Sequence, residues 1–149
     1  MMHLAQVNVA RILGPMDGPV MAEFKRALDP INLLAERTPG FVWRLQDDTG
    51  DATDLRPFED DTILINLSVW ESVEALRAYT YHSGHAHYVK RRKEWFESFG
   101  RPHYTLWWVP VGHEPSPQEA WDRLELLNAH GPSERAFTFT HLFDPPQNG

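Results

Sequence analysis

Amide, hydroxyl and indole side chains recur along two segments whose residues alternate with a period of two. These side chains belong to Gln6, Asn8, Asn66, Ser68 and Trp70. The two segments, residues 4–10 and 62–70, read as strands, and alternate side chains of a strand share one face of a sheet. Small-molecule pockets are typically apolar with a few placed polar groups. If the strands are neighbours, the five residues line one pocket. The alternative, which does not exclude a pocket, is that they cross-link a dimer interface or bond to helix ends.

A candidate acid or base lies on a later helical segment. One stripe with helical 3-4-3-4 spacing comprises His85, Tyr88, Arg92, Trp95 and Phe99. The two aromatic residues at its end imply that the stripe faces inward. A half-buried histidine can move a proton near neutral pH, so His85 is the candidate catalytic residue and Arg92 a candidate binding residue. The alternative for His85 is a core histidine bonded to a backbone carbonyl.

Three further aromatic side chains, together with Trp70, complete the candidate site. Trp43, Trp70 and Trp108 would supply apolar walls, and Tyr79 is a further candidate binding residue. No metal site is expected, because His82 and His85 are three residues apart but no carboxylate completes a known ligand pattern.

The composition excludes several function classes. The chain has 149 residues, no cysteine and a net charge of −7, which excludes thiolate chemistry and a broad basic surface for nucleic acid. No apolar run approaches the roughly 20 residues of a membrane helix. The first residues lack the pattern of a signal peptide, so we expect a cytoplasmic protein. Residues 47–61 are strongly acidic and are interpreted as a solvated hairpin or flap.

The elements that must position these residues follow from hydrophobic periodicity. We predict strands at 4–10, 41–45, 62–70, 103–111 and 136–140, and helices at 21–35, at 72–99 with a break near Gly84, and from Pro117 to Gly131. Pro30 should kink or restart the first helix. Ser116 and Glu119 form a capping box, and residues 143–149 form a frayed tail.

The first six elements follow the order β-α-β-β-α-β, which is the ferredoxin-like α+β pattern. We therefore predict a single domain over residues 1–149, with an antiparallel sheet and an added C-terminal helix and strand. Both helices of this pattern lie on one face of the sheet, so the other face would be bare. A second copy of the chain would cover it and form a dimeric α/β barrel. The added helix and strand could instead cover part of this face or extend the dimer.

The chain also resembles a bacterial family catalogued as a domain of unknown function in the dimeric α/β-barrel superfamily. The matching stretches are 40–46, 66–71, 91–96, 107–113, 131–132 and 136–139, with resemblance running from Leu4 to Phe143. The superfamily includes cofactor-independent quinone-forming monooxygenases and heme-degrading monooxygenases. The first group carries an Asn and a Trp four apart on a strand, as Asn66 and Trp70 are here.

The heme-degrading group resembles this chain less closely. Its members use an Asn on the first strand, which Asn8 matches, with a Trp and a His on the second helix. Tyr79 stands near the position of the Trp, and the His would fall near Val89, one turn after His85. Two of the three positions therefore depart from the pattern.

Three functions remain open from the sequence. The first is a cofactor-independent, monooxygenase-like enzyme acting on a small aromatic or polyketide-like molecule, with His85 as acid or base. The second is a non-catalytic binding or regulatory module for a small molecule. The third is a heme protein with His85 or His82 as axial ligand.

Overall fold

The computed structural model describes residues 1–14, 18–45, 63–82, 95–97 and 103–146 of the chain. Its strands are β1 (Met2–Ile12), β2 (Phe41–Arg44), β3 (Ile63–Trp70), β4 (Phe96–Glu97) and β5 (Tyr104–Pro110). Its helices are α1 (Ala22–Arg37), α2 (Val73–His82) and α3 (Pro117–His130). The acidic segment 47–61 lies outside the described residues.

The strands form one antiparallel sheet with β1 at its centre. On one side β1 pairs with β3, which in turn pairs with β2. On the other side β1 pairs with β5 along most of its length and with β4 at its end. This order and the two helices that follow β1 and β3 confirm the α+β ferredoxin-like fold.

The two faces of the sheet differ as the alternation predicts. The aliphatic residues Val7, Val9, Leu67 and Val69 share one face, which we call the dry face. The opposite face packs against α1 and α2 in a cluster that contains Leu4, Ala35, Trp70 and Leu76. We call it the helix-facing side.

The dry face is covered within the single chain. Its aliphatic and indole residues on β1, β3 and β5 are all 0–5% exposed in the single chain. Helix α3 supplies part of the cover, because Ala120 and Leu124 pack into the same cluster. The added C-terminal helix thus covers part of this face, which is one of the alternatives that the sequence leaves open.

Helix α1 continues past its proline. It runs from residue 22 to residue 37 with Pro30 inside it, so the predicted restart is not observed. Pro30 itself is exposed, while Ala27 and Ala35 are buried. Packing of that apolar stripe holds the helix together despite the hydrogen bond that proline removes.

The predicted second helix is wrong at its C-terminal end. Helix α2 is described to residue 82, but Trp95 lies in a turn and Phe96–Glu97 is a strand that pairs with Arg11–Ile12. Trp95 is buried as expected, yet it packs against Phe24 of α1. Aromatic residues at helical spacing also suit a short strand, and periodicity alone cannot separate the two over so few residues.

Helix α3 begins where the capping box predicts, but only half of the box forms. The Ser116 hydroxyl accepts a hydrogen bond from the Glu119 backbone N–H at 3.1 Å, and Pro117 occupies the first turn. The Glu119 carboxylate instead accepts from the Trp107 indole at 3.0 Å and lies 2.7 Å from His113 Nε2. Glu119 therefore ties the start of α3 to the sheet.

The C-terminal segment forms isolated bridges in place of the predicted strand. Phe137 exchanges two backbone hydrogen bonds with Leu106, at 2.8 and 2.9 Å. Phe143 is the first residue of the predicted frayed tail. Its backbone oxygen accepts from the Trp108 indole at 2.9 Å, and its ring packs near Phe137. The aromatic anchors explain this order in a segment without regular structure.

Candidate functional site

Five of the predicted residues come together on the helix-facing side of β1 and β3. The register pairs Gln6 with Ser68 and Asn8 with Asn66, because the two strands are neighbours as predicted. We call Gln6, Asn8, Asn66, Ser68 and Trp70 the amide cluster. Gln6 and Ser68 are each 7% exposed, whereas Asn66 is exposed. The cluster is therefore buried at one end and open at the other.

Hydrogen bonds link all five members. Gln6 Nε2 donates to Asn66 Oδ1 and to Ser68 Oγ, both at 2.7 Å. Asn8 Nδ2 donates to Gln6 Oε1 at 3.2 Å and to Asn66 Oδ1 at 3.3 Å. The Trp70 indole N–H donates to Ser68 Oγ at 2.9 Å.

These bonds leave particular groups available to a ligand. Asn66 Oδ1 accepts twice, and within the described part of the chain neither N–H of Asn66 Nδ2 reaches a protein acceptor. The Oδ1 atom of Asn8 likewise receives no hydrogen bond from a described residue. An amide that presents donors beside an amide that presents an acceptor suits a ligand with oxygen substituents.

An aromatic pair closes the buried end of the cluster. The Trp70 ring is 1% exposed and stacks on Tyr79 with ring centroids 5.1 Å apart. The Tyr79 hydroxyl donates to the Ile31 carbonyl at 3.4 Å. Burial raises the pKa of Tyr79 above its usual value, against a smaller lowering by the Arg44 guanidinium, so the phenol stays neutral.

Two residues that the sequence analysis did not single out lie beside the cluster. Arg44 pairs with Ser68 across β2 and β3, and its Nε lies 2.9 Å from Glu36 Oε1. Tyr104 pairs with Asn8 across β1 and β5, and its hydroxyl accepts from the Phe139 backbone N–H at 3.2 Å. The alternation of β5, applied as it was to β1 and β3, would have placed Tyr104 on this face.

The other predicted residues are not brought to the cluster. Trp43 pairs with Val69 and packs on the dry face, because an irregularity between Phe41 and Trp43 reverses the alternation of β2. Trp108 lies on the same side of the sheet but pairs with Leu4, four residues from Asn8 along β1. Its indole N–H donates to the Phe143 backbone oxygen of the C-terminal segment.

The predicted acid or base belongs to a part of the chain that the structure does not describe. His85 and Arg92 lie outside the described residues, as does the side chain of His82, so the histidines of the heme interpretation do too. Among the residues that are described, no group of three His, Asp or Glu side chains could hold a metal ion. The helices of this part of the chain are also too short or too polar to cross a membrane.

A separate open cavity of about 380 Å³ lies between β5, the end of α3 and the C-terminal segment. It is lined by His103, Tyr104, Leu127, Gly131, Pro132, Thr138, Thr140 and His141. None of the residues predicted from the sequence lines it. Tyr104 is nevertheless the cross-strand neighbour of Asn8, so the cavity adjoins the sheet position next to the amide cluster.

Solved structures with the same fold include a cofactor-independent oxygenase, SnoaB from Streptomyces nogalater. The structure of a single-residue mutant of SnoaB aligns with a TM-score of 0.53 at 19% identity, over 76% of this chain and 98% of that chain. A second SnoaB structure aligns with a TM-score of 0.52 at 20% identity, over 78% and 99% of the two chains. At these identities the likeness shows the fold.

The comparison with curated protein sequences gives no match. A family model does match, and it spans residues 3–149, nearly the whole chain. The residues that carried the resemblance in the sequence all lie within that span. The chain belongs to the domain of unknown function family DUF3291.

Proposed function

We propose that this chain is a cofactor-independent, monooxygenase-like enzyme that oxidises a small aromatic or polyketide-like molecule. The observation that carries the proposal is the amide cluster, which holds Asn66 at the open end of a polar row beside the buried indole of Trp70. The fold shared with SnoaB, a cofactor-independent oxygenase, supports it.

The chemistry sets what the site must do. Oxygen reacts without a metal when the substrate is an electron-rich anion, so a ring CH₂ acidified by flanking carbonyl and aryl groups must first lose a proton. Reaction of CH₂ with O₂ then gives C=O and H₂O, with one oxygen atom kept and the other released as water. Asn66 and Asn8 would hold the substrate's oxygen atoms, Trp70 would lie against its ring, and His85 would take the proton.

Oxidation of 1,8-dihydroxyanthrone to the anthraquinone tests this proposal. We expect the protein to accelerate oxygen uptake and product absorbance above the buffer rate, and Asn66→Ala to reduce kcat/KM at least tenfold. Asn128→Ala is the matched control, because Asn128 is an exposed amide on α3. His85→Ala should abolish the rate. Oxygen uptake equal to buffer, or unaffected by Asn66→Ala, would exclude the anthrone reaction at this cluster.

A non-catalytic binding module is the second candidate. The observation that favours it is that the amide cluster contains only amide, hydroxyl and indole groups, none of which acts as an acid or base near neutral pH. Stabilisation by a metabolite in a thermal-shift screen, lost in Asn66→Ala and without consumption of oxygen or ligand, would favour this function.

We also propose that the chain pairs with a second copy, as its resemblance to the dimeric α/β-barrel superfamily implies. Because the described dry face is already covered, the proposal rests on that resemblance and assigns no interface. Light scattering at micromolar concentration should give twice the chain mass of 17.2 kDa. A mass of one chain across that range would refute it.

A further inference from the structure

Gln6 is the most connected member of the amide cluster. Its side-chain nitrogen has two N–H groups, and both are donated, one to Asn66 Oδ1 and one to Ser68 Oγ. Its oxygen accepts from Asn8 Nδ2 at 3.2 Å. Gln6 is 7% exposed, so water has little access to its side chain. The three protein partners therefore determine the orientation of the Gln6 amide.

The direction of Gln6 determines the direction of Asn66. A Gln6 N–H requires an acceptor opposite it, which places Asn66 Oδ1 inward and both Asn66 N–H groups outward, at the exposed end. Asn8 Nδ2 adds a second donor to the same oxygen. Reversing Gln6 alone would set its oxygen against Asn66 Oδ1, which is repulsive, so Asn66 would have to reverse with it.

We propose that Gln6 is the positioning residue of the site: it fixes the Asn66 amide with its N–H groups outward, so that Asn66 binds an anionic oxygen of the ligand. This inference rests on the proposed function for the site's location and names the feature of the substrate that the site recognises, a phenolate or enolate oxygen. An outward N–H donor suits such an oxygen, which carries several lone pairs and no proton.

The charge nearby agrees with an anionic ligand. Arg44 is the cross-strand neighbour of Ser68 on the same side of the sheet, and its field acts on Tyr79 in the buried end of the cluster. Glu36 bonds to Arg44 Nε and offsets part of that charge. No carboxylate belongs to the cluster itself, whose five members are all neutral.

Substitution of Gln6 by glutamate inverts the arrangement with almost no change of shape. A carboxylate has acceptors only, so Glu at this position must receive N–H groups from Asn66 and the O–H of Ser68. Asn66 would then turn its oxygen outward, toward the ligand. The variant therefore replaces the donor that faces the ligand with an acceptor. If Gln6 only filled space, its substitution by glutamate would leave the orientation of Asn66 unchanged.

Side-chain amide hydrogen exchange measures the orientation without any ligand. In ¹⁵N-labelled wild type, the Gln6 amide protons should exchange slowly and the Asn66 amide protons rapidly. In Gln6→Glu, exchange of the Asn66 protons should slow at least tenfold. Protected Asn66 protons in the wild type, or unchanged Asn66 exchange in a folded Gln6→Glu variant, would overturn the proposal.

Binding of two probes under anaerobic conditions tests the ligand class. The probes are 2-hydroxy-1,4-naphthoquinone, which is an anion at neutral pH, and 2-methoxy-1,4-naphthoquinone, which is neutral. Wild type should bind the anion at least tenfold more tightly, and Gln6→Glu should remove that preference while the Kd of the ether changes less than threefold. Gln118→Glu adds the same charge at an exposed position on α3 and should retain the preference.

A second variant covers the case in which Gln6→Glu does not fold. In Asn66→Asp the carboxylate still accepts from Gln6 and Asn8, and its outer oxygen replaces the N–H donors at an exposed position. This variant should also lose the preference for the anion, with Asn128→Asp as control. An unchanged preference in Asn66→Asp, or no wild-type binding of the anion, would overturn the proposal. Anion binding without anthrone oxidation would leave this inference standing and refute the proposed oxidation of the anthrone.

Discussion

At the scale of the residue, Trp70 and Tyr79 form a stacked aromatic pair at the buried end of the amide cluster. Tyr79 stacks on Trp70, whose indole N–H in turn fixes the Ser68 hydroxyl. These contacts connect helix α2 to the amide cluster through the Trp70 indole. Ionisation of the Tyr79 phenol should therefore lower the free energy of unfolding of the whole protein.

Tyr79 should make the protein sensitive to alkali. Its folded pKa is raised by burial, so its contribution to stability is complete below the unfolded pKa of about 10 and is lost as the pH rises above it. Between pH values of about 10 and 12 the free energy of unfolding of wild type should fall more steeply than that of Tyr79→Phe. The difference in slope should approach about 1.4 kcal/mol per pH unit, measured by urea denaturation.

Tyr104→Phe is the matched control for this measurement. Tyr104 also lies on the helix-facing side, and the substitution removes the same hydroxyl from a tyrosine that does not stack on Trp70. Equal alkaline slopes for wild type and Tyr79→Phe would show that the phenol titrates as it does in the unfolded chain.

At the same scale, the candidate site shows what strand alternation can predict. Alternation alone puts Gln6, Asn8, Asn66, Ser68 and Trp70 on one side, because both strands are regular and directly paired. Alternation along β2 would not have placed Trp43 correctly, because the irregularity between Phe41 and Trp43 shifts the alternation by one. The direction of the amide groups also depends on contacts across strands, which no local pattern contains.

At the scale of the element, the turn between α1 and β2 depends on Gly40. Its φ of +91° lies in the region that favours glycine, and a Cβ there would come within 2.4 Å of the Ala75 Cβ at the start of α2. The turn therefore packs directly on the helix that carries Tyr79. Any side chain at Gly40 would separate the two.

Gly40→Ala should destabilise the protein by about 2–5 kcal/mol, from backbone strain of about 1–2 kcal/mol and overpacking of about 1–3 kcal/mol. Gly112→Ala is the control, because Gly112 has a φ of +93° with no atom within 4 Å of a built Cβ. Its cost should be limited to the strain. Chemical denaturation of both variants checks the difference, and equal losses would mean that the approach to Ala75 is relieved by a small shift.

The elements also show where local signals suffice. The Ser116 cap and Pro117 predict the start of α3 correctly, because capping is a local interaction. The segment around Phe96 is predicted as helix and is a strand, since its pairing with β1 comes from a distant part of the chain. Local pattern decides an element when its partners are near in sequence, and fails when a remote strand supplies the hydrogen bonds.

At the scale of the whole molecule, the ferredoxin-like order was predictable and the use of its two faces was not. The predicted β-α-β-β-α-β order is what the sheet shows. The sequence leaves open whether the added helix or a second copy covers the dry face, and in the structure Ala120 and Leu124 of α3 pack there. The packing of α3 determines whether one chain can bury both faces of its own sheet. That packing depends on the path of the chain after β5.

Strand β1 is bonded along both edges, to β3 on one side and to β5 and β4 on the other. Opening it therefore requires the sheet to come apart, so its backbone amides should report the global free energy of unfolding in native-state hydrogen exchange. The segment from Ser133 to His141, held by isolated bridges, should exchange by smaller local openings. Gln6, which positions the amide cluster, thus lies on the strand whose hydrogen bonds should open most slowly. A ligand bound to the cluster would therefore contact a part of the sheet that opens only when the whole protein unfolds.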